Sequence, residues 1–159
     1  LPVPLIVGLG QAAELAQQEG TSDADQMRAL RDRLHQAIRT LLDDRGVLLN
    51  GHPTERLPNN LNLSFEAVEG EPLMMALRSV AVSSGAACSS AEPEPSHVLR
   101  AIGRDEALAR SSLRFGLSRF TSAEEVDQAA SLVADAVTRL RDPDRFYTGN
   151  QREFARDGL

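Results

Sequence analysis

The sequence predicts an α+β two-layer sandwich, a small sheet of about four strands carrying helices on one face. Three observations point to it. Four short runs have strand character, longer stretches around them place apolar residues at helical spacing, and no internal repeat or low-complexity tract interrupts the 159 residues. A hydrophobic content of 42% is enough for one buried core.

Leu5 to Gln18 reads as a first helix, with Leu5, Leu9, Ala12, Ala13 and Ala16 recurring at helical spacing. Gly8 and Gly10 each lower its propensity by about 1 kcal/mol relative to alanine. No strand precedes them and no third glycine follows, so this Gly-x-Gly predicts close helix packing rather than a phosphate loop. Thr21, Ser22 and Asp23 offer a cap for a second helix, Asp23 to Asp44, with Met27, Leu30, Leu34, Ala37, Ile38 and Leu41 as its apolar stripe. Arginines and acids take the opposite face. His35 lies off the stripe with no second ligand at metal spacing and reads as a solvated or half-buried imidazole.

Gly46 ends this helix, and Val47 to Leu49 makes a brief strand closed by Asn50-Gly51. His52 to Pro58 is a loop. Asn60 to Phe65 alternates, with Leu61, Leu63 and Phe65 inward and Asn60, Asn62 and Ser64 outward, and makes a second strand. Glu71 to Val80 is a short helix burying Leu73, Met74 and Leu77, its two methionines read as core filler. Val80 to Ser83 is a third strand. Ser96 caps another helix (Val98, Leu99, Ile102) that stops at Gly103, and Asp105 to Arg110 follows. Ser112 to Leu117 is a fourth strand. Thr121-Ser-Ala-Glu-Glu starts a last helix in capping-box style, running to about Leu140. The chain thus divides into two lead-in helices (1–45), a small α+β unit (46–142) and a polar tail (143–159).

The formal net charge is −6, and the seventeen basic residues, all arginine, are spread out rather than clustered. That argues against a nucleic-acid partner. No apolar run nears the roughly 18 residues of a membrane span, and the start lacks a signal peptide's charged region. A single cysteine forms no internal disulfide, in keeping with a reducing, cytoplasmic setting. Opening on Leu1 suggests a piece of a longer protein. The absence of lysine rules out a covalent step on a lysine of this chain.

The single thiol, Cys88, lies among small residues, and Ser89 to Pro95 behind it favours neither helix nor strand. This predicts a thiol on a mobile loop between a strand and a helix, a good place for chemistry. From position alone a reactive and an inert Cys88 both stay open, because a thiol needs a nearby base or cation to ionise at neutral pH. His97 is close in sequence but reads as a solvent-facing residue of the next helix, and Glu92 and Glu94 as solvated loop acids. Arg114 interrupts an apolar strand between Leu113 and Phe115 and so points to the other face. There a guanidinium can clamp a carboxylate, although strand position alone favours an exposed ion pair. No catalytic role attaches to Asn59, Asn60 or Asn62, and no metal site is apparent.

Val82-Ser-Ser-Gly-Ala-Ala-Cys-Ser-Ser, Glu94-Pro-Ser-His-Val-Leu-Arg-Ala-Ile-Gly103 and Ser111-Ser-Leu-Arg-Phe-Gly-Leu-Ser-Arg-Phe-Thr121 resemble the C-terminal part of the cysteine desulfurases. These are pyridoxal-phosphate enzymes of the class V aminotransferase group. Leu1 to Ala12 and Leu57-Pro-Asn-Asn-Leu-Asn-Leu-Ser-Phe match the same family, so the similarity spans roughly residues 1–142. The resemblance implies the small C-terminal domain of a fold-type I pyridoxal-phosphate enzyme. It implies Cys88 as the nucleophile that takes the sulfur of cysteine as a persulfide, leaving alanine, and Arg114 as the binder of the substrate carboxylate. It implies a homodimer that hands sulfur to iron–sulfur scaffold or thiolation proteins, with pyridoxal 5'-phosphate held by a lysine on the missing remainder. A chain alone is then inactive. The alternative is a non-enzymatic sulfur acceptor derived from a desulfurase.

Overall fold

The computed structural model describes residues 2–84 and 94–142. Helix α1 (Val3–Leu41) leads into strand β1 (Val47–Leu49) and strand β2 (Asn60–Phe65). Helix α2 (Gly70–Ala76), strand β3 (Ser83–Ser84), helix α3 (His97–Ala101) and helix α4 (Glu106–Arg110) follow. Strand β4 (Ser112–Gly116) and helix α5 (Ala123–Arg141) complete the fold. The strands form one antiparallel sheet in the order β1-β2-β4-β3, with Leu63 opposite both Leu49 and Leu113.

The predicted alternation sets the two faces of this sheet. Leu61, Leu63, Phe65, Leu113 and Phe115 point to one side and are buried against Leu34 and Ile38 of α1 and Val126, Val133 and Val137 of α5. Each such side chain contributes roughly 1.5–3 kcal/mol on burial. Helix α5 begins as its sequence foretells. Ser122 Oγ accepts from the Glu125 N–H at 3.1 Å and the Glu125 carboxylate accepts from the Ser122 N–H at 2.8 Å. At its far end Arg141 donates to the carbonyls of Arg45, Gly46 and Glu66, which ties α5 to the entrance of β1. Gly46 allows this: its φ is +57°, and a Cβ there would lie 2.8 Å from the Arg141 guanidinium.

Several expectations are corrected. The two lead-in helices are one 39-residue helix. Gly20 and the capping residues Thr21 to Asp23 cost helix propensity, but none removes a backbone donor as proline does, so the helix runs through them. Gly8 and Gly10 pack against nothing among the described residues. Arg31 leaves the solvated face and is buried, its guanidinium on Asp32 and the Leu57 carbonyl. Met75 is exposed rather than core filler. The third strand is shifted and shorter, Ser83–Ser84 instead of Val80 to Ser83, because only that stretch reaches the edge of β4. In addition, the α3–α4 segment covers one end of the sheet's second face. Ser64 and Ser112 pair across β2 and β4 on that face, and both are fully buried.

Candidate functional site

Arg114 stands at the end of the second face that no other described element covers. Its neighbours Leu113 and Phe115 are buried in the core, and Arg114 itself is exposed on the opposite side, as predicted. In register it lies between Asn62 of β2 and Ser83 of β3, and cross-strand partners in an antiparallel sheet share a face. Its Nη2 donates to Ser83 Oγ at 3.3 Å. Among the described residues no carboxylate pairs with it, so the exposed ion pair favoured by strand position alone does not form. A guanidinium has five N–H donors and no acceptor. Most of these donors stay available to an incoming anion.

Beside Arg114 runs a chain of amides that the sequence did not single out. Arg104, in the α3–α4 turn, donates through Nε to Asn50 Oδ1 at 2.6 Å and through Nη2 to the Leu49 carbonyl at 2.7 Å. Asn50 is buried, and its Nδ2 donates to Asn62 Oδ1 at 2.7 Å and to Ser64 Oγ at 2.8 Å. Arg56 donates to the Asn50 carbonyl at 3.1 Å. Alternation on β2 and β4 does place Asn62 and Arg114 on outward faces. It carries no register, so their adjacency is invisible in the sequence, and Asn50 reads there only as the end of a strand.

Cys88 and Glu92 lie outside the described residues. The chain leaves the sheet toward Cys88 at Ser84, whose register partner is Leu113. It is described again from Glu94, which is exposed, and Ser96 Oγ then caps α3 by accepting from the Leu99 N–H at 3.4 Å. His97 is exposed, in line with its solvent-facing reading. Among the described residues no group of His, Cys, Asp and Glu is placed to hold a metal ion, and no helix is long and apolar enough to cross a membrane. The donors on the second face of the sheet are guanidinium, amide and hydroxyl groups, and the chain has no lysine. They suit a carboxylate. They do not fit the covalent anchoring of a pyridoxal aldehyde, which requires an amine.

Comparison with known proteins places the chain in a family. The aminotransferase class-V family matches residues 1–129. The cysteine desulfurase IscS of Anaeromyxobacter sp. (strain Fw109-5) is 54% identical over the whole chain, which covers 38% of that relative. The cysteine desulfurase of Mus musculus is 51% identical, again over the whole chain, which covers 33% of it. Among solved structures, a NifS-like protein superimposes with a TM-score of 0.71 at 28% identity, over 87% of this chain and 34% of its own. The chain therefore spans roughly a third of the length of the relatives it matches.

Proposed function

Because the chain belongs to the aminotransferase class-V family, we propose that it forms part of a cysteine desulfurase, with Cys88 as sulfur acceptor and Arg114 as binder of the substrate's carboxylate. The observation that carries this reading is the exposed Arg114 guanidinium, free of any carboxylate among the described residues, on the strand next to the one that leads to Cys88. Three residues separate Ser84 from Cys88. The four steps from Ser84 to Cys88 span at most about 14 Å, so the length of chain permits the thiol to approach the guanidinium.

The transfer is balanced without an added oxidant. The Cys88 thiolate bonds to the sulfur of free cysteine as the bond from that sulfur to the substrate's β-carbon breaks. The electron pair stays with the carbon, which takes a proton to become alanine, and Cys88 becomes a persulfide. A bidentate guanidinium–carboxylate pair holds the substrate in one orientation throughout. The pyridoxal phosphate of the family finds no anchoring amine on this chain, so its attachment falls to the remainder of the enzyme. The persulfide then passes to a thiol of an acceptor protein.

The test uses the complete enzyme with the remainder of the chain present. Cys88→Ser abolishes persulfide formation and sulfur transfer while L-alanine still binds, and Arg114→Ala weakens L-alanine binding. A Cys88→Ser enzyme that still handed sulfur on would refute the role given to the thiol.

A further inference from the structure

We propose that Asn62 is a second arm of the carboxylate seat beside Arg114, held in its working orientation by Arg104 through Asn50. The inference rests on the reading of Arg114 given above and extends it to residues that neither the sequence motifs nor family membership assigns.

The physical argument starts from the donor inventory. An amide side chain can present either its oxygen or its nitrogen to a given neighbour, and only its partners decide which. Arginine has donors alone. Because Arg104 Nε meets Asn50 at 2.6 Å, the atom receiving it must be Oδ1. Asn50 Nδ2 is thereby turned toward Asn62 and Ser64, at 2.7 and 2.8 Å, and the Asn62 atom that receives it must be Oδ1. One arginine thus fixes the flip of two amides in series. The second of them, half-buried on the open face, is left with Nδ2 as its outward group. That nitrogen donates to none of the described residues.

Asn62 and Arg114 are register partners in β2 and β4, which places their Cβ atoms about 4.5–5.5 Å apart on one face. A guanidinium and an amide NH₂ so placed offer donors to both oxygens of a carboxylate. Ser83, on the other flank, accepts from Arg114 and holds it toward β3. Asn50 is buried and Arg104 is bonded on two sides, so the relay is rigid before any ligand arrives.

Asn62→Asp is the decisive variant. It keeps the size of the side chain and the oxygen that accepts from Asn50, but it replaces the outward donor with an anion facing both Arg114 and the substrate. In the complete enzyme we expect the KM for L-cysteine to rise tenfold or more with kcat within about twofold. L-alanine affinity, measured by calorimetry, falls in parallel. L-cysteine methyl ester, which lacks the carboxylate, binds as it does to the unaltered enzyme. Arg104→Ala, acting through Asn50, gives a smaller rise for cysteine, none for the ester, and adds nothing on top of Asn62→Asp. Asn62→Thr, which suits a strand and lacks the amide, carries the same test should aspartate unfold the sheet. An equal loss for acid and ester would reveal a merely structural Asn62 and overturn the proposal. Unchanged cysteine and alanine binding in both Asn62 variants, with Arg114→Ala weakened, would overturn it while leaving the reading of Arg114 intact. No loss in Arg114→Ala either would remove the seat itself.

Discussion

His35 shows how a single side chain carries a pH dependence. It is half-buried on α1, and its pKa lies below the usual 6.5, chiefly because burial disfavours the imidazolium. The positive charges of Arg39 and Arg56 push the same way, against weaker help from Asp32 and Asp44. The unfolded chain therefore takes up a proton near pH 6.5 that the folded chain resists. Stability is full above that pH and is lost as the pH falls through the depressed folded value. Urea midpoints taken between pH 7.5 and 5.5 should decline, and His35→Gln should flatten the decline, since glutamine does not titrate. Parallel curves for the two proteins would rule out His35 as the source. The Asp127 carboxyl, held below its usual 3.8 by a hydrogen-bonded Arg33, makes its loss in a more acidic window and does not confuse the comparison. At this scale the sequence told half the story. That His35 stands off the apolar stripe was legible from helical spacing. That Arg56, twenty-one residues on, raises the cost of its charge is a tertiary fact. The same limit applies to Asn62 and Arg114, where faces could be read from alternation and partners could not.

At the scale of elements, local signals were trustworthy where a specific side-chain bond backed them. Ser122 with Glu125, and Ser96, start helices as their sequence patterns predict, and each hydroxyl accepts the expected N–H. Asp105, which the sequence did not single out as a cap, does the same for α4. They misled where they only lowered propensity. Gly20 through Asp23 resembles a break, yet α1 continues across it without interruption. Arg119, in the loop after β4, pairs with Glu19 and Asp23 and thus clasps both sides of the suspected break. The consequence is measurable. Nothing lies within 4 Å of a Cβ built on Gly20, and its φ is not in the left-handed region. Gly20→Ala should therefore stabilise the protein by roughly 0.5–1 kcal/mol, seen as a higher urea midpoint with an unchanged slope. Were Gly20 the left-handed cap of a terminated helix, the same substitution would cost stability, so the sign of the change decides between one helix and two.

At the scale of the whole molecule, α1 has two unequal parts. From Met27 onward its stripe packs on α5, and Leu34 and Ile38 are buried. Ahead of Glu19 it carries Val3, Leu5, Ile6, Val7 and Leu9, all more than half exposed. Those sixteen residues, Val3 to Gln18, extend about 24 Å as helix, and no described residue covers their apolar side chains. Fold class was legible because alternation and helical spacing are local patterns. This imbalance was not, because the spacing of Leu5, Leu9, Ala12 and Ala16 looks the same whether or not something packs on it. An apolar surface of this kind is unfavourable in water by roughly 25 cal/mol per Å², and contiguous patches of several hundred Å² drive association. The 159-residue chain on its own should therefore self-associate through the first half of α1. Sedimentation velocity across a range of concentrations should show a weight-average mass that grows with concentration. Leu5→Glu combined with Leu9→Glu should return it to a monomer and leave the Tm unchanged, since neither side chain touches the core. A chain that stays monomeric at high concentration without those substitutions would mean that this half of α1 is covered or unravelled in solution.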